Sequence, residues 1–579
     1  MSLSIALSNA ASGLRTAQTG LRVTSDNIAN VDNPRYVRKV ADQQSVAAGG
    51  SGAGVEISQI RRVTDRFLQA AGLHASSAAA QAGVTADLMD QVQGLFGLPT
   101  EPASLSSSMQ SMFAGFTSLA GTDPTTSARA GALNGVSNFF DKAAQFGSNL
   151  QSIVGQAETR ARDDVARVNV LLTNIASYNR EIAQGFASGV DITGLQQRQS
   201  EMIDELGGMI DIRVQQSPMG SVVVRAFDGR DISSMQASSL SIETIAGQKR
   251  LVVHTEGSPP QDVTDMSDGG SIAGHLDFVN VKAPAIEGQL LELTAQTATE
   301  LNRIHNLYSA VPPPGVLTGK DTGGTLDAVL AGLSGTTSIG LVDATGAMTT
   351  TKVDIVFGAG TTGTVNGVAF TDQATFLTEL NTALAPASAS FTAGRLTING
   401  GGSGVVTTSS PAAGTQGFSQ AFGLNDLLVG AAPGYTVRPD ILASPQKLGL
   451  ALPDLSGPVG PAPVVYRADQ RGADALGNAG GSLVNFNPVG WATGGVQSLN
   501  DYLTSFGANI ARVTNAAETA KGEQTAISEE ANARRASIEG VNLDEELVSL
   551  TSYQQAYNAS TRVMQAVSEM YDALLAIMN

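Results

Sequence analysis

No cysteine occurs in the 579 residues, which excludes disulfides, thiolate zinc sites and a cysteine nucleophile. The lack also suits a chain that travels unfolded into an oxidising space. Histidine is scarce. His74, His254, His275 and His305 fall on different predicted elements with no H-x-x-x-H pair, so each reads as a surface or packed side chain rather than a ligand. Aromatics make up 5%, with Trp491 the single tryptophan, while 64 glycines and abundant Ala, Ser and Thr point to small-residue packing. Positive charge is in short supply. Lys and Arg number 34 against 52 Asp and Glu, a net charge of −18. That balance argues against nucleic acid, which needs a basic face, and against adsorption on anionic lipid. No apolar run approaches the ~20 residues of a membrane span, so no membrane insertion is expected. The N-terminus lacks the basic n-region and apolar h-region of a cleaved secretory signal, so any export is expected by another route.

Catalytic and cofactor patterns are missing as well. The Gly49–Gly54 stretch does not give G-x-G-x-x-G and reads as a flexible turn before a short strand at Val55–Ile57. Gly319-Lys320 runs into Asp321 without the upstream glycine of a P-loop. Asp262, Asp265 and Asp268-Gly269 lack the spacing of an EF-hand loop, and no G-x-S-x-G elbow occurs. The expectation is a protein with no cofactor, no metal and no catalytic residue.

What the chain does have lies at its two ends. Leu7, Leu14, Leu21 and Ile28 are spaced by seven, with Leu3, Ala10, Ala17 and Thr24 as companions. At the other end Leu550, Tyr557, Met564, Tyr571 and Met578 repeat the same spacing, with Leu543 and Leu547 beside them and Val567 and Leu574 widening the face. A period near 3.5 without interior proline describes helices whose stripe seeks a partner helix. Asn542 stands as N-cap, and Asp544, Glu545 and Glu546 load the first turn of the last helix with favourable charge. The two stripes are expected to lie against each other. Small residues such as Ala10, Ala17, Ser560 and Ser568 thin this seam, so the isolated pair is expected to be marginal until neighbours cover it.

Between the ends, a chain of this length requires several domains. Helix dominates from Val63 to Gly185, most clearly through Ile153, Ala157, Ala161, Val165, Val168, Leu172, Ile175 and Ile182. Strands are expected at Ile210–Val214, Ser221–Phe227 and Leu251–His254, turning at Met219-Gly220 and Asp228-Gly229. Helix resumes from Ile286 and stops at the proline run Val311–Gly315, the strongest boundary signal. Beyond it the composition shifts to Gly, Thr, Ala and Pro. Hairpins are expected at Asn366-Gly367 and Ala393-Gly394 and a short helix over Thr371–Leu384. The fold class is therefore multidomain α plus β, with paired N- and C-terminal helices as a coiled-coil-like inner domain. A helical shaft with a small β unit and an inserted, mainly β outer domain complete it. The expected partition is 1–62 with 537–579; 63–209 with 276–314 and 482–536; 210–275; and 315–481.

Asn27, Ile28, Ala29, Asn30, Pro34 and Tyr36 match the N-terminal signature of the flagellar axial proteins (rod, hook and hook-associated proteins), although Arg35 stands where that family usually has glycine. The run Leu195–Val214 and the segment Ala421–Gly430 resemble parts of the hook-associated members. So does the C-terminal run from Asn542 through Leu550 to Tyr557. The resemblance implies a structural adaptor between hook and filament that leaves the cell unfolded through the type III apparatus. It implies assembly as a ring of copies, with the hook protein on one side and a second junction protein and the filament's flagellin on the other, after handling by an export chaperone. The alternatives are another axial component (hook or distal rod) or, from a different class, an adhesin or glycan-cleaving enzyme borne on a flagellar anchor.

Overall fold

The structure is a computed structural model. It describes residues 3–578 except 34, 49–50, 98–100, 103, 122–123, 227–228, 265–268, 349 and 433. Pro34, Gly49, Gly50, Phe227, Asp228, Asp265 and Asp268, named above, lie outside the described residues, as does the side chain of Met578.

The chain opens with helix α1 (Leu3–Ala29), strands β1 (Lys39–Ala48) and β2 (Ser51–Arg62), then helices α2 (Arg66–Phe96), α3 (Leu105–Thr117), α4 (Thr126–Ala187) and α5 (Thr193–Met209). Six strands follow: β3 (Ile212–Gln216), β4 (Val222–Ala226), β5 (Asp231–Ser233), β6 (Ser239–Ile245), β7 (Gln248–His254) and β8 (Gln261–Asp262). Helices α6 (Gly270–Asp277) and α7 (Ala283–His305) come next. The chain divides into two compact units, Met1–Asp90 with Ile153–Lys282 and Val513–Asn579, and Gln91–Ser152 with Ala283–Arg512.

In the first unit the periodic face of α4 is buried as its spacing requires, with Val165, Val168, Leu171, Leu172 and Ile175 in one core with Ile203 and Leu206 of α5. Two three-stranded antiparallel sheets, β3-β4-β5 and β6-β7-β8, lay Ile212, Val224, Leu240, Leu251 and Val253 on that core. Asn179, buried in α4, ties the sheet on. Its amide nitrogen donates to the carbonyls of Val222 at 2.7 Å and Ser234 at 2.6 Å, and its oxygen accepts from Val222 N at 2.7 Å. The region read as a glycine turn and a short strand is instead a long antiparallel hairpin, β1-β2, in register from Lys39↔Arg62 to Ala48↔Ser51 with two shifts. The sequence signal was weak because polar residues such as Gln43, Gln44 and Ser45 face solvent.

In the second unit Phe96, Phe146 and Phe506 meet edge to face with ring centroids 5.4 to 6.2 Å apart, closing a helical core. The proline run Val311–Gly315 lies inside this unit. After it come β9 (Val316–Thr318), α8 (Leu326–Leu330), β10 (Gly335–Val342), β11 (Thr351–Phe357), β12 (Gly363–Val365) and β13 (Val368–Phe370). Then follow α9 (Gln373–Leu384), β14 (Ser388–Thr392), β15 (Arg395–Asn399), β16 (Gly404–Pro411) and α10 (Phe418–Phe422). A five-stranded antiparallel sheet β13-β12-β11-β10-β16 and a three-stranded sheet β14-β15-β9 share one core. Phe357, Phe370, Phe376 and Phe418 pack ring against ring within it. Asn366 (φ 48°) and Gly367 (φ 85°) make the mirror-image turn that a two-residue hairpin needs, as do Ala393 and Gly394. Asp372 caps α9 in a reciprocal box with Thr375. The remaining elements are β17 (Leu428–Ala431), β18 (Gly434–Val437), α11 (Pro439–Ala443), α12 (Arg471–Gly477), β19 (Leu483–Phe486) and β20 (Gly495–Ser498). Two long helices finish the chain, α13 (Leu499–Glu539) and α14 (Leu543–Met578).

Candidate functional site

Helices α1 and α14 run antiparallel along one seam. A Cβ at Gly20 would sit 2.5 Å from the Tyr553 ring, and one at Gly13 would sit 2.9 Å from Ser560 Oγ. Gly20 with the buried Ala10, Ala17, Thr24 and Asn27 therefore forms the inner face of α1, and this small-residue stripe lets the two backbones approach closely. The facing stripe on α14 is Leu550, Tyr553, Tyr557, Ser560 and Met564, half-buried, with Glu546 and Val567 fully buried. On its other side α1 carries the β1-β2 hairpin. Thr16 Oγ1 donates to the Val55 carbonyl at 3.2 Å, and Val55 N donates to Ser12 Oγ at 3.2 Å.

The stripes named from sequence divide between inside and outside. Leu550, Tyr557 and Met564 are half-buried on the seam side, whereas Leu543, Leu547, Tyr571 and Leu574 are exposed. On α1, Leu14, Leu21 and Ile28 flank the small-residue stripe half-buried, and Leu7 is 38% exposed. The companion positions Ala10, Ala17 and Thr24 are the buried ones. Ser560 and Val567, named from sequence as seam residues, lie on it, whereas Tyr553 was missed. Its seven-residue spacing to Ser560 and Val567 was the available signal.

The signature residues build the turn that leads out of α1. Asn27 Oδ1 accepts from Tyr36 Oη at 3.0 Å and from Lys39 N at 3.0 Å, while Asn27 Nδ2 donates to the Lys39 carbonyl at 2.9 Å. One buried amide thus replaces a strand partner for Lys39 and anchors the tyrosine. Burial, then the nearby Asp26 and Glu546 charges, pushes the Tyr36 hydroxyl far above its ordinary pKa, so it stays protonated and donating. Asn30 Nδ2 donates to the Asp26 carbonyl at 2.8 Å, closing the helix end. Ile28 is half-buried and Ala29 exposed.

The segment after Tyr36 is clamped from two directions. Arg38 Nε donates to Glu546 at 2.8 Å and Nη1 to Glu545 at 2.8 Å, and Arg38 N donates to the Glu539 carbonyl at 2.8 Å. The acidic first turn of α14, capped by Asn542 Oδ1 accepting from Asp544 N at 3.0 Å, therefore holds an arginine as well as serving the helix dipole. Gln197 of α5 accepts from Val37 N at 3.2 Å and donates to the Arg35 carbonyl at 2.6 Å. Glu539 also accepts from Asp65 N at 2.9 Å and from Arg535 Nε at 2.8 Å. Two chain ends some 500 residues apart (Arg38 and Glu546 are separated by 508) are thus fixed to the same few side chains.

Among the described residues no group of three or more His, Asp or Glu is placed to hold a metal ion. His305 is fully buried, its Nε2 accepting from Gly449 N at 2.8 Å and its Nδ1 2.5 Å from the Asn425 carbonyl. Asn306 and Asn302 extend this network to Asp426 and Leu428, so the Ala421–Gly430 segment is fastened to α7 by side-chain amides.

Residues 89–309 match the model of the flagellar hook-associated protein FlgK helical domain. Residues 536–577 match that of the flagellar basal body rod FlgEFG protein C-terminal region, and residues 7–36 that of the flagella basal body rod protein. The flagellar hook-associated protein 1 of Escherichia coli (strain K12) is 23% identical over 607 residues, spanning 99% of this chain and 100% of that one. Its counterpart from Salmonella typhimurium is 24% identical over 602 residues with the same coverage. A solved structure, the flagellar hook junction protein FlgK from Burkholderia pseudomallei, superposes with a TM-score of 0.52 at 14% identity. It covers 82% of this chain and 100% of that one, a likeness of fold.

Proposed function

The chain belongs to the family of flagellar hook-associated protein 1, and on that premise we propose that it is the structural piece joining hook to filament. Like its family it associates with other axial components of the bacterial flagellum. In this reading copies form a ring whose inner wall is the α1–α14 pair, with the hook protein below and the second junction protein and flagellin above. The chain reaches this extracellular position unfolded through the type III apparatus, delivered by an export chaperone. It works as a structural element and not as an enzyme. Labour divides along four parts, 1–62 with 537–579, 63–209 with 276–314 and 482–536, 210–275 and 315–481: the terminal helices assemble, the shaft with its small β unit spaces, and the β-rich insertion faces outward.

The observation that carries the proposal is the apolar surface that α14 leaves uncovered toward its two ends. Leu543, Leu547, Val548, Met570, Leu574 and Leu575 are all exposed on α14, and Val548 is 71% exposed. Scattered single apolar residues need no explanation, but several on one helix mark an association surface. Deleting the chain's gene and imaging the cells tests this reading. Hooks without filaments are expected. Loss of the hook itself would instead favour the second reading, a rod or hook component, to which the rod-protein likeness of both termini points.

A further inference from the structure

Within the first unit a cavity of ≈ 1150 Å³ opens between the β2 strand, α2, α5 and the β3-β4 sheet. Its walls include Leu73, Ile203, Ile212 and Val222. In a chain of net charge −18 this lining is basic, with five arginines against three aspartates. One of those arginines is under-satisfied. Arg62 Nη1 donates to the Gln196 carbonyl at 3.0 Å, but its Nε and Nη2 are buried and have no hydrogen-bond partner among the described residues. Arg535 beside it is paired with Asp204 at 2.9 Å and Glu539 at 2.8 Å, and neither carboxylate is hydrogen-bonded to Arg62. A guanidinium held in place with two donors unmade is a costly arrangement that a carboxylate would relieve, since its two oxygens fit the fork.

We propose that this cavity receives the start of helix α14 from a second copy of the chain, with a carboxylate of that copy pairing with Arg62. The complementarity is chemical. The α14 start is the chain's densest acidic run, Asp544-Glu545-Glu546, and it is flanked by the exposed Leu543, Leu547 and Val548. Acid and apolar groups there match the mixed walls of the cavity. Within one copy Arg38 occupies Glu545 and Glu546, which leaves Asp544 as the carboxylate available to a neighbour. The inference rests on the reading that copies associate, and assigns one specific contact within that association. The cavity exceeds the ~300–1,000 Å³ of small-ligand pockets, which favours a protein segment as occupant.

The absence of cysteine makes the contact directly testable in the full chain. One preparation carries Ser200→Cys on the cavity wall and another Val548→Cys, and the two are mixed under mild oxidation. A mixed disulfide dimer is expected, and adding Arg62→Met to the first or Asp544→Asn to the second should cut its yield by at least roughly tenfold. Arg62→Met alone should leave the melting temperature of the unassociated chain unchanged or higher, because it removes two buried donors that have no hydrogen-bond partner. No mixed disulfide, or one indifferent to both substitutions, overturns the proposal. So does citrate stabilising the wild type but not Arg62→Met while no disulfide forms, which would make the cavity a small-anion site. If sedimentation shows copies associating while the disulfide fails, only this contact is wrong; if copies never associate, the junction reading fails with it.

Discussion

The Tyr553 ring lies directly on the bare Cα of Gly20, and a methyl group there would sit 2.5 Å from the ring. Glycine within a helix costs about 1 kcal/mol against alanine, so its presence in α1 needs a compensating reason. Close approach supplies it. The aromatic ring covers backbone that a larger residue would hold away, and the seam gains contact that leucines alone do not give.

Two effects of opposite sign therefore meet in Gly20→Ala. Helix propensity favours the variant by about 1 kcal/mol, while overpacking against Tyr553 costs about 1–3 kcal/mol. Crowding is expected to win, lowering hydrogen-exchange protection around Tyr553, and Gly20→Ala with Tyr553→Ala should cost less than the sum of the two. A Gly20→Ala chain with raised protection would mean the helices do not touch there.

Arg38 and Glu546 offer a second test. Glu546 is 3% exposed, so Arg38→Met leaves a carboxylate buried without its cation, a change worth roughly 3–5 kcal/mol. Protection of the first turns of α14 should fall accordingly. Arg38→Met with Glu546→Leu should recover most of it, because an apolar pair of similar size tolerates burial. A double variant as weak as the single one would show that the segment after Tyr36 is held by its backbone contacts instead.

How much of this was legible in the sequence depends on the range of the signal. Asn366-Gly367 announced its turn because positive φ restricts the choice of residue, and the buried face of α4 followed from its period. The terminal helices announced a seam through their leucines. The seam's centre was harder to see, because Gly13 and Gly20 look like helix breakers until Ser560 and Tyr553 are laid on them. Strands β10 and β16 pair along their whole length, Gly335↔Pro411 to Val342↔Gly404, yet their Thr, Ser and Gly content gave little pattern. The Arg38–Glu546 pair and the orphaned donors of Arg62 depend on contacts formed only in the folded chain, so neither residue type nor spacing marks them.

The uncovered apolar residues of α14 separate folding from assembly. Leu574 is 46% exposed, so Leu574→Asp should change the stability of the unassociated chain by no more than about 0.5 kcal/mol. Incorporation into flagella should nevertheless be lost. Leu550→Asp, on the seam, should disturb both. Residues 1–40 and 545–579 should also be cut faster by protease in the unassociated chain than after assembly. Normal incorporation of Leu574→Asp would remove the C-terminal end of α14 from the interface.

His305 gives the second unit a pH dependence of definite sign. Nε2 accepts from Gly449 N, which makes the buried ring the neutral tautomer with its proton on Nδ1, facing the Asn425 carbonyl. Burial pushes its pKa down from the ordinary 6.5 to about 4, against the opposing pull of that carbonyl. Between those values the unfolded chain takes up a proton that the folded chain refuses. The stabilisation is therefore complete above pH 6.5 and is lost as pH falls through about 4, on the order of 3 kcal/mol in all. Asp426 nearby acts in the opposite sense, since burial raises its pKa and favours the folded state in acid, but it has no bearing on the His305→Gln comparison where both chains carry it. Melts of His305→Gln between pH 7 and 4 should show a shallower loss than wild type. Equal slopes would mean that other groups govern the acid sensitivity of this unit.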